Sequence, residues 1–143
     1  MINIRTFKKD DLNEIAIIES LCFSTPWSHN ALCDFAGYEH NSILVAEQDN
    51  GVVGYITYSC IIDEIQIANV ATHPDYRKQD VAKNLVETLK TLNKDFSIIT
   101  LEVRQSNIPA QNLYQKCGFE IAGKRRNFYS SPTEDAILMN YTF

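Results

Sequence analysis

Near the start of the chain, apolar and polar residues alternate in INIRTF, which predicts a strand. The repeat then lengthens. In DDLNEIAIIESLCF the apolar side chains Leu12, Ile15, Ile18, Leu21 and Cys22 recur at helical spacing, with Asp10 or Asp11 placed to cap the helix. STPWSHNALCDFAG predicts a turn and a second short helix, interrupted by Pro26, capped by Ser28 and ended by Gly37. In SILVAEQDNGVVGYITYSCII two apolar runs flank Asp49-Asn50-Gly51, a hairpin signal. DEIQIANVATHP gives a further strand, stopped by Pro74.

A helix from about Asp80 to Asn93 follows, with Val81, Ala82, Leu85, Val86, Leu89 and Leu92 on one stripe. FSIITLEVR is apolar and β-branched, the pattern of a buried strand. NIPAQNLYQKCGF has Pro109 in a first helical turn and Gly118 just past its end. EIAGKRRNFYSS and DAILMNYTF close the chain as two strands. The order is strand, two helices, three strands, helix, strand, helix, two strands. It predicts an α/β (or α+β) sandwich: a single mixed, mostly antiparallel central sheet with helices on both faces, and a parallel pair where a helix separates strands.

A length of 143 residues suits one domain over 1–143, and no repeat, low-complexity segment or linker divides it. The first residues carry charge within a short distance, unlike a signal peptide, and no apolar run approaches the roughly 18 residues of a membrane span. The expectation is a soluble, cytoplasmic protein that binds no membrane. Cys22, Cys33, Cys60 and Cys117 form no CxxC, and His29, His40 and His73 share no ligand spacing with them, so no metal is expected. A disulfide framework is not expected either, and each cysteine reads as a small buried apolar residue. The net charge of −5 argues against direct nucleic-acid binding and is compatible with a basic protein or peptide partner.

One junction carries a chemical question. HPDYRKQDVAKNL, from His73 to Leu85, leads from a strand into an amphipathic helix, where backbone N–H groups and the helix dipole can hold phosphate. Glycine usually permits that approach. Here the central residue is Asp80, whose carboxylate could cap the same N–H groups.

VATHPDYRKQDVAKNLV resembles the coenzyme-binding motif of the GNAT acetyltransferases, Gln/Arg-x-x-Gly-x-Gly/Ala. Arg77 fills the first position and Ala82 the last, while Asp80 departs from the central glycine. LEVRQSNIPAQNLYQKCGF resembles the family's next block, and the order of elements matches its fold from end to end. Within the family, PWS at Pro26 to Ser28, LEVR at Leu101 to Arg104, NLYQKCGF at Asn112 to Phe119, and RRNFY…EDAILM at Arg125 to Met139 resemble the RimI type. That type acetylates the N-terminal alanine of a small-subunit ribosomal protein.

The resemblance implies acetyl-CoA as co-substrate and a protein N-terminus as acceptor. Transfer needs a neutral amine, a donor for the oxyanion and a proton or hydrogen bond for the leaving thiolate. An α-amine, with a pKa of about 8 against about 10.4 for lysine, needs only mild help from a base. Glu102 is the implied base, acting through one ordered water; from the residue alone it reads as a strand-end glutamate paired with Arg104 or capping the sheet edge. Tyr114 is the implied acid at the sulfur; by spacing with Ala110, Leu113 and Cys117 it reads equally as core. Asn107 reads as a helix N-cap and, by the resemblance, also as a coenzyme contact.

The remaining coenzyme contacts are likewise implied by position. They are the backbone of Val70, Ala71 and Thr72 in a bulging strand, and the loop and first turn formed by Arg77, Lys78, Gln79, Asp80, Val81, Ala82 and Lys83. The acidic pairs Asp63-Glu64 and Glu134-Asp135 read as solvated surface or as attractants for a cationic N-terminus. Trp27 reads as core or as the lining of a peptide groove. Two rivals stay open: acetylation of another amine, such as a lysine, polyamine or small metabolite, and a coenzyme-binding module that has lost catalysis, with Asp80 as its mark.

Overall fold

The computed structural model describes residues 2–143. Its elements are β1 (Asn3–Thr6), α1 (Leu12–Cys22), α2 (His29–Ala36), β2 (Asn41–Gln48), β3 (Gly51–Ile61), β4 (Glu64–Thr72), α3 (Val81–Leu92), β5 (Ile98–Arg104), α4 (Ile108–Lys116), β6 (Glu120–Tyr129) and β7 (Glu134–Thr142). This is the order the hydrophobic pattern predicts. The strands form one seven-stranded sheet, ordered β1-β2-β3-β4-β5-β7-β6. Every neighbouring pair is antiparallel except β4 and β5.

The β2–β3 hairpin closes at the signal Asp49-Asn50-Gly51. Asp49 and Asn50 take φ of 56° and 66°, and Gln48 pairs with Gly51. Two left-handed residues make the tight turn whose twist suits a hairpin. Gly51 is therefore the first residue of β3 rather than part of the turn.

Each face of the sheet carries a helical layer. On one, Leu12, Ile15, Ile18 and Leu32 of α1 and α2 pack on Ile43, Val45, Val52, Tyr55 and Ala71. On the other, Val81, Leu85, Val86 and Leu89 of α3, with Tyr114 and Cys117, pack on Ile65, Ile99, Leu101, Val103 and Met139. Burying each large aliphatic side chain contributes roughly 1.5–3 kcal/mol. Gly54 sets how closely α3 lies on β3, because a Cβ there would fall 2.6 Å from Val81 Cγ1 and 3.0 Å from the Ala71 carbonyl oxygen.

Several expectations need correction. Leu21 is exposed, at 53%, on the side of α1 away from the core on which the next residue, Cys22, packs, and Leu92, in the last turn of α3, is exposed at 62%. Glu19 takes the buried place in α1 instead. Neither Asp10 nor Asp11 caps α1 through its side chain. The Asp11 carboxylate turns back, accepting from the Lys8 N–H at 2.6 Å and from both terminal nitrogens of Arg5 at 2.8 and 3.0 Å. β5 is buried on one face only: Ile99, Leu101 and Val103 face α3 and α4, while Thr100 and Glu102 are half-buried on the other face. The packing of α1 and α2 centres on β2, β3 and Ala71 of β4, and does not reach β5.

β4 and β5 pair over only three residue couples, Glu64–Ile98, Ile65–Ile99 and Gln66–Thr100. Beyond them β4 bulges. Tyr58 pairs with Ile67 and Thr57 with Asn69, which leaves Ala68 as the extra residue. The strands part from there on. The bulge lies before Val70, Ala71 and Thr72, which pair in register with Ile56, Tyr55 and Gly54 of β3.

Candidate active site

The parting of β4 from β5 opens a cleft of about 640 Å³, whose lining includes Glu102, Tyr114, Asn107 and Val70. Glu102 and Tyr114 reach it from opposite sides of the sheet. Leu101 and Val103 point into the layer that holds Tyr114, and alternation along β5 turns Glu102 to the other face. The cleft therefore passes through the sheet.

Glu102 is half-buried, and its Oε1 lies 3.4 Å from Nε of Arg125 on β6. The partner proposed from sequence, Arg104, instead bridges Glu134 at 3.2 Å and donates to the carbonyls of Ser130 and Pro132. Arg104 also lies over the Tyr129 ring, 4.5 Å from its centroid. Tyr114 is buried, and its ring packs against Phe119. Burial, with the neighbouring Tyr129, pushes its phenol above the ordinary range, and at neutral pH it is a protonated donor, as any phenol is. Tyr129 also lines the cleft, and burial together with the Glu102 carboxylate raises its phenol too.

Asn107 caps α4, its side chain accepting from the Ala110 N–H at 3.2 Å, and it stands at the cleft. Val70 lines the cleft with it. The Ala71 side chain is buried in the α1/α2 layer, so only the backbone of Ala71 can serve a ligand there. Where β4 has left β5, the backbone of Val70, Ala71 and Thr72 has a strand neighbour on one side only.

Past β4, a 3₁₀ turn at Pro74–Tyr76 leads into Arg77, Lys78, Gln79 and Asp80, all exposed. Lys78 and Asp80 both adopt positive φ, 65° and 61°. The carboxylate of Asp80 makes no capping hydrogen bond, which corrects the cap expected from sequence; its carbonyl accepts from the Asn84 N–H at 2.9 Å. The left-handed backbone explains why a glycine suits this position in the resembling motif. The amides of Val81, Ala82 and Lys83 open α3, out of reach of any intrahelical carbonyl. The Val81 side chain is buried in the core beside Gly54, so this residue can offer a ligand only its backbone. Lys83 is exposed, and Arg77 Nη2 lies 3.5 Å from Cys22 Sγ.

The remaining candidates divide. Trp27 lines the cleft and also packs on Phe35, with ring centroids 5.4 Å apart. Asp63 bonds Ser97 at the paired end of β4 and β5, away from the gap. Glu134 is tied to β5 and the loop after it, and Asp135 is tied within the β6–β7 hairpin. Hydrogen bonds from the Ser106 side chain, then from its N–H, together with Arg104, hold the Glu134 carboxyl below the usual carboxylate range, and Asp135 accepts from the Asn127 N–H. Ser24, in the loop between α1 and α2, donates to the Ser131 carbonyl, so that loop touches the hairpin beside the cleft.

Glu19 is a buried carboxylate in the cleft that the sequence pattern did not single out. Its signal was present: it falls four residues after Ile15 and seven after Leu12, on the apolar stripe itself.

The family model described as "Acetyltransferase (GNAT) family" matches residues 12–119. The ribosomal protein bS18-alanine N-acetyltransferase of Haemophilus ducreyi is 33% identical over 141 residues, covering 95% of this chain and 97% of that protein. Its namesake from Escherichia coli (strain K12) is 30% identical over 143 residues, covering 97% and 96%. The crystal structure of the ribosomal-protein-S18-alanine N-acetyltransferase from Escherichia coli superposes with a TM-score of 0.92 at 29% identity, over 99% of this chain and 94% of that one.

Proposed function

The chain belongs to the acetyltransferase (GNAT) family, and from that premise we propose that it transfers the acetyl group of acetyl-CoA to the N-terminal α-amine, an alanine's, of a small-subunit ribosomal protein. Residues 1–143 act as one acetyltransferase domain in the cytoplasm, where such an acceptor is made. Among the described residues no helix is long and apolar enough to cross a membrane. The observation that carries the reading is the cleft through the sheet, with a carboxylate on one face and a buried phenol on the other.

The residues present suit acetyl-CoA. The opening amides of α3, at Val81, Ala82 and Lys83, point where a pyrophosphate is favoured, and Arg77, Lys78 and Lys83 supply positive charge around them. Gln79 adds an exposed amide to the same loop. The one-sided backbone of Val70, Ala71 and Thr72 can pair with an amide-bearing arm, and Asn107 stands beside it. Acetyl-CoA supplies an activated acyl thioester.

The protein's own groups handle protons. Glu102, held 3.4 Å from Arg125 Nε, accepts a proton from the acceptor's ammonium, through one ordered water. An α-ammonium with a pKa near about 8 loses that proton readily, which suits a half-buried carboxylate of this kind. Tyr114, a protonated phenol at neutral pH, donates to the leaving sulfur. The loop carrying Trp27 and the hairpin carrying Tyr129 flank the face on which Glu102 waits, so the amine enters there.

A peptide bearing the N-terminal residues of the ribosomal target, incubated with acetyl-CoA, tests this. Mass spectrometry should place one acetyl group on the α-amine, and prior blocking of that amine should abolish transfer while lysines remain. Acetylation on lysine, or turnover of free small amines alone, would replace this reading with that of a general amine acetyltransferase.

A further inference from the structure

The cleft holds a carboxylate to which no step above gives a role. Glu19, near the end of α1, is 1% exposed. Burying a carboxylate is costly unless its oxygens find donors. Glu19 finds three. Oε1 accepts from the Tyr55 hydroxyl on β3 and from Asn69 Nδ2 on β4, the latter at 2.7 Å. Oε2 accepts from the Trp27 N–H, in the loop before α2, at 2.9 Å.

The donors come from different walls of the site. Asn69 is the first paired residue after the bulge at Ala68, and its own N–H donates to the buried Thr57 hydroxyl at 2.9 Å. It therefore marks where β4 turns away from β5. Trp27 belongs to the loop on the acceptor side of the cleft. One side chain ties the strand edge that would hold the acyl donor to the loop that would face the acceptor. An apolar residue of similar size would leave all three donors without a partner.

We propose that Glu19 is a positioning residue for acetyl transfer, fixing the Trp27 loop relative to the β4 edge across the cleft. It touches neither reacting group. The proposal rests on the acetyl-transfer reading above and assigns the residue a task within it.

Three variants of the full chain test it by steady-state kinetics, normalised to folded protein. Glu19→Gln keeps the connections, because the Tyr55 hydroxyl and the Asn69 amide can each turn over to accept from the new NH₂. Its KM values and kcat should stay within about threefold of wild type. Glu19→Ala breaks every tie and should raise the KM for peptide about tenfold, with a rise in the KM for acetyl-CoA, the scale of one lost charge-assisted hydrogen bond. Asn69→Ala, a milder change, releases only β4. It should raise the KM for acetyl-CoA severalfold and leave that for peptide near wild type, which keeps the test open should Glu19→Ala fail to fold.

Wild-type constants in both alanine variants would make Glu19 merely structural and end the proposal. Loss in Glu19→Gln equal to that in Glu19→Ala would overturn it in favour of a role for the charge itself. Failure of the underlying reading is visible separately, since wild-type protein would then acetylate no peptide N-terminus. Calorimetric titration of coenzyme into Asn69→Ala still decides the β4 arm in that case.

Discussion

Asp80 offers the sharpest test of how the loop before α3 works. With φ of 61° and ψ of 23°, it occupies the left-handed region, and its side chain caps nothing. Replacing it by glycine relieves a backbone cost of about 1 kcal/mol. Against that stand the added chain entropy of glycine, about 0.5–1 kcal/mol, and the loss of a carboxylate at a helix N-terminus, about 0.3–1 kcal/mol. The sum lies within about 1 kcal/mol of zero, so the apo melting temperature should move by no more than about 4 °C. Asp80→Ala loses the same charge but keeps a Cβ in the left-handed region. It should melt below Asp80→Gly by a few degrees.

Coenzyme binding separates charge from backbone. A carboxylate about 7 Å from a doubly charged pyrophosphate is opposed by roughly 1 kcal/mol in water-like surroundings. Both variants should therefore bind acetyl-CoA about fivefold more tightly than wild type at low salt, and the gain should shrink as salt screens it. Thermal melts and titration calorimetry read the two effects independently. An alanine variant as stable as the glycine variant would refute the backbone account. Unchanged coenzyme affinity in both would refute the electrostatic one.

Glu102→Gln should lower turnover most at low pH, where more of the amine is protonated, by up to about 10²- to 10⁴-fold, with coenzyme affinity unchanged; equal pH–rate profiles for mutant and wild type would remove the base assignment. Tyr114→Phe keeps the ring against Phe119 and removes the donor, so turnover should fall while the melting temperature holds; full activity in the folded variant would make Tyr114 core alone. Hydrogen bonds from Arg5, then from the Lys8 N–H, lower the Asp11 pKa despite burial. A carboxyl with a depressed folded pKa stabilises above its unfolded value of about 3.9 and loses that contribution as pH falls through the folded value. Asp11→Asn should thus cost about 2 kcal/mol at pH 7, with the gap from wild type closing as pH falls through the depressed folded value, as chemical denaturation across that range would measure.

The sequence pattern located every regular element, since a repeat of two or of 3.6 residues survives whatever packs on it. It was less informative about sidedness. FSIITLEVR suggested burial on both faces, yet Thr100 and Glu102 are half-buried because α1 and α2 stop short of β5. A strand's own residues do not disclose how far a distant helix reaches. Ion partners were illegible for the same reason: Arg104 lies nearest Glu102 in sequence, but the β5–β7–β6 order brings Arg125 to it instead. At Asp80 the residue type suggested a cap, and only the backbone angle reveals that the position demands a left-handed residue. Glu19 could have been found from its place in an apolar stripe, because a carboxylate there needs donors from elsewhere in the fold.

The three-couple pairing between β4 and β5 gives the molecule a seam. To one side stand β1 to β4, and to the other β5, β7 and β6, each set closed by its own antiparallel ladder. Along the seam, backbone amides of residues 67–72 that point away from β3 have water instead of a neighbouring strand, and they should exchange hydrogen for deuterium far faster than those in the ladders. A bound ligand arm lying along that edge would act as a temporary strand, slowing exchange there while leaving the two ladders unaffected. Exchange rates across the seam would thus report occupancy residue by residue, in a sheet left unjoined where the chemistry needs room.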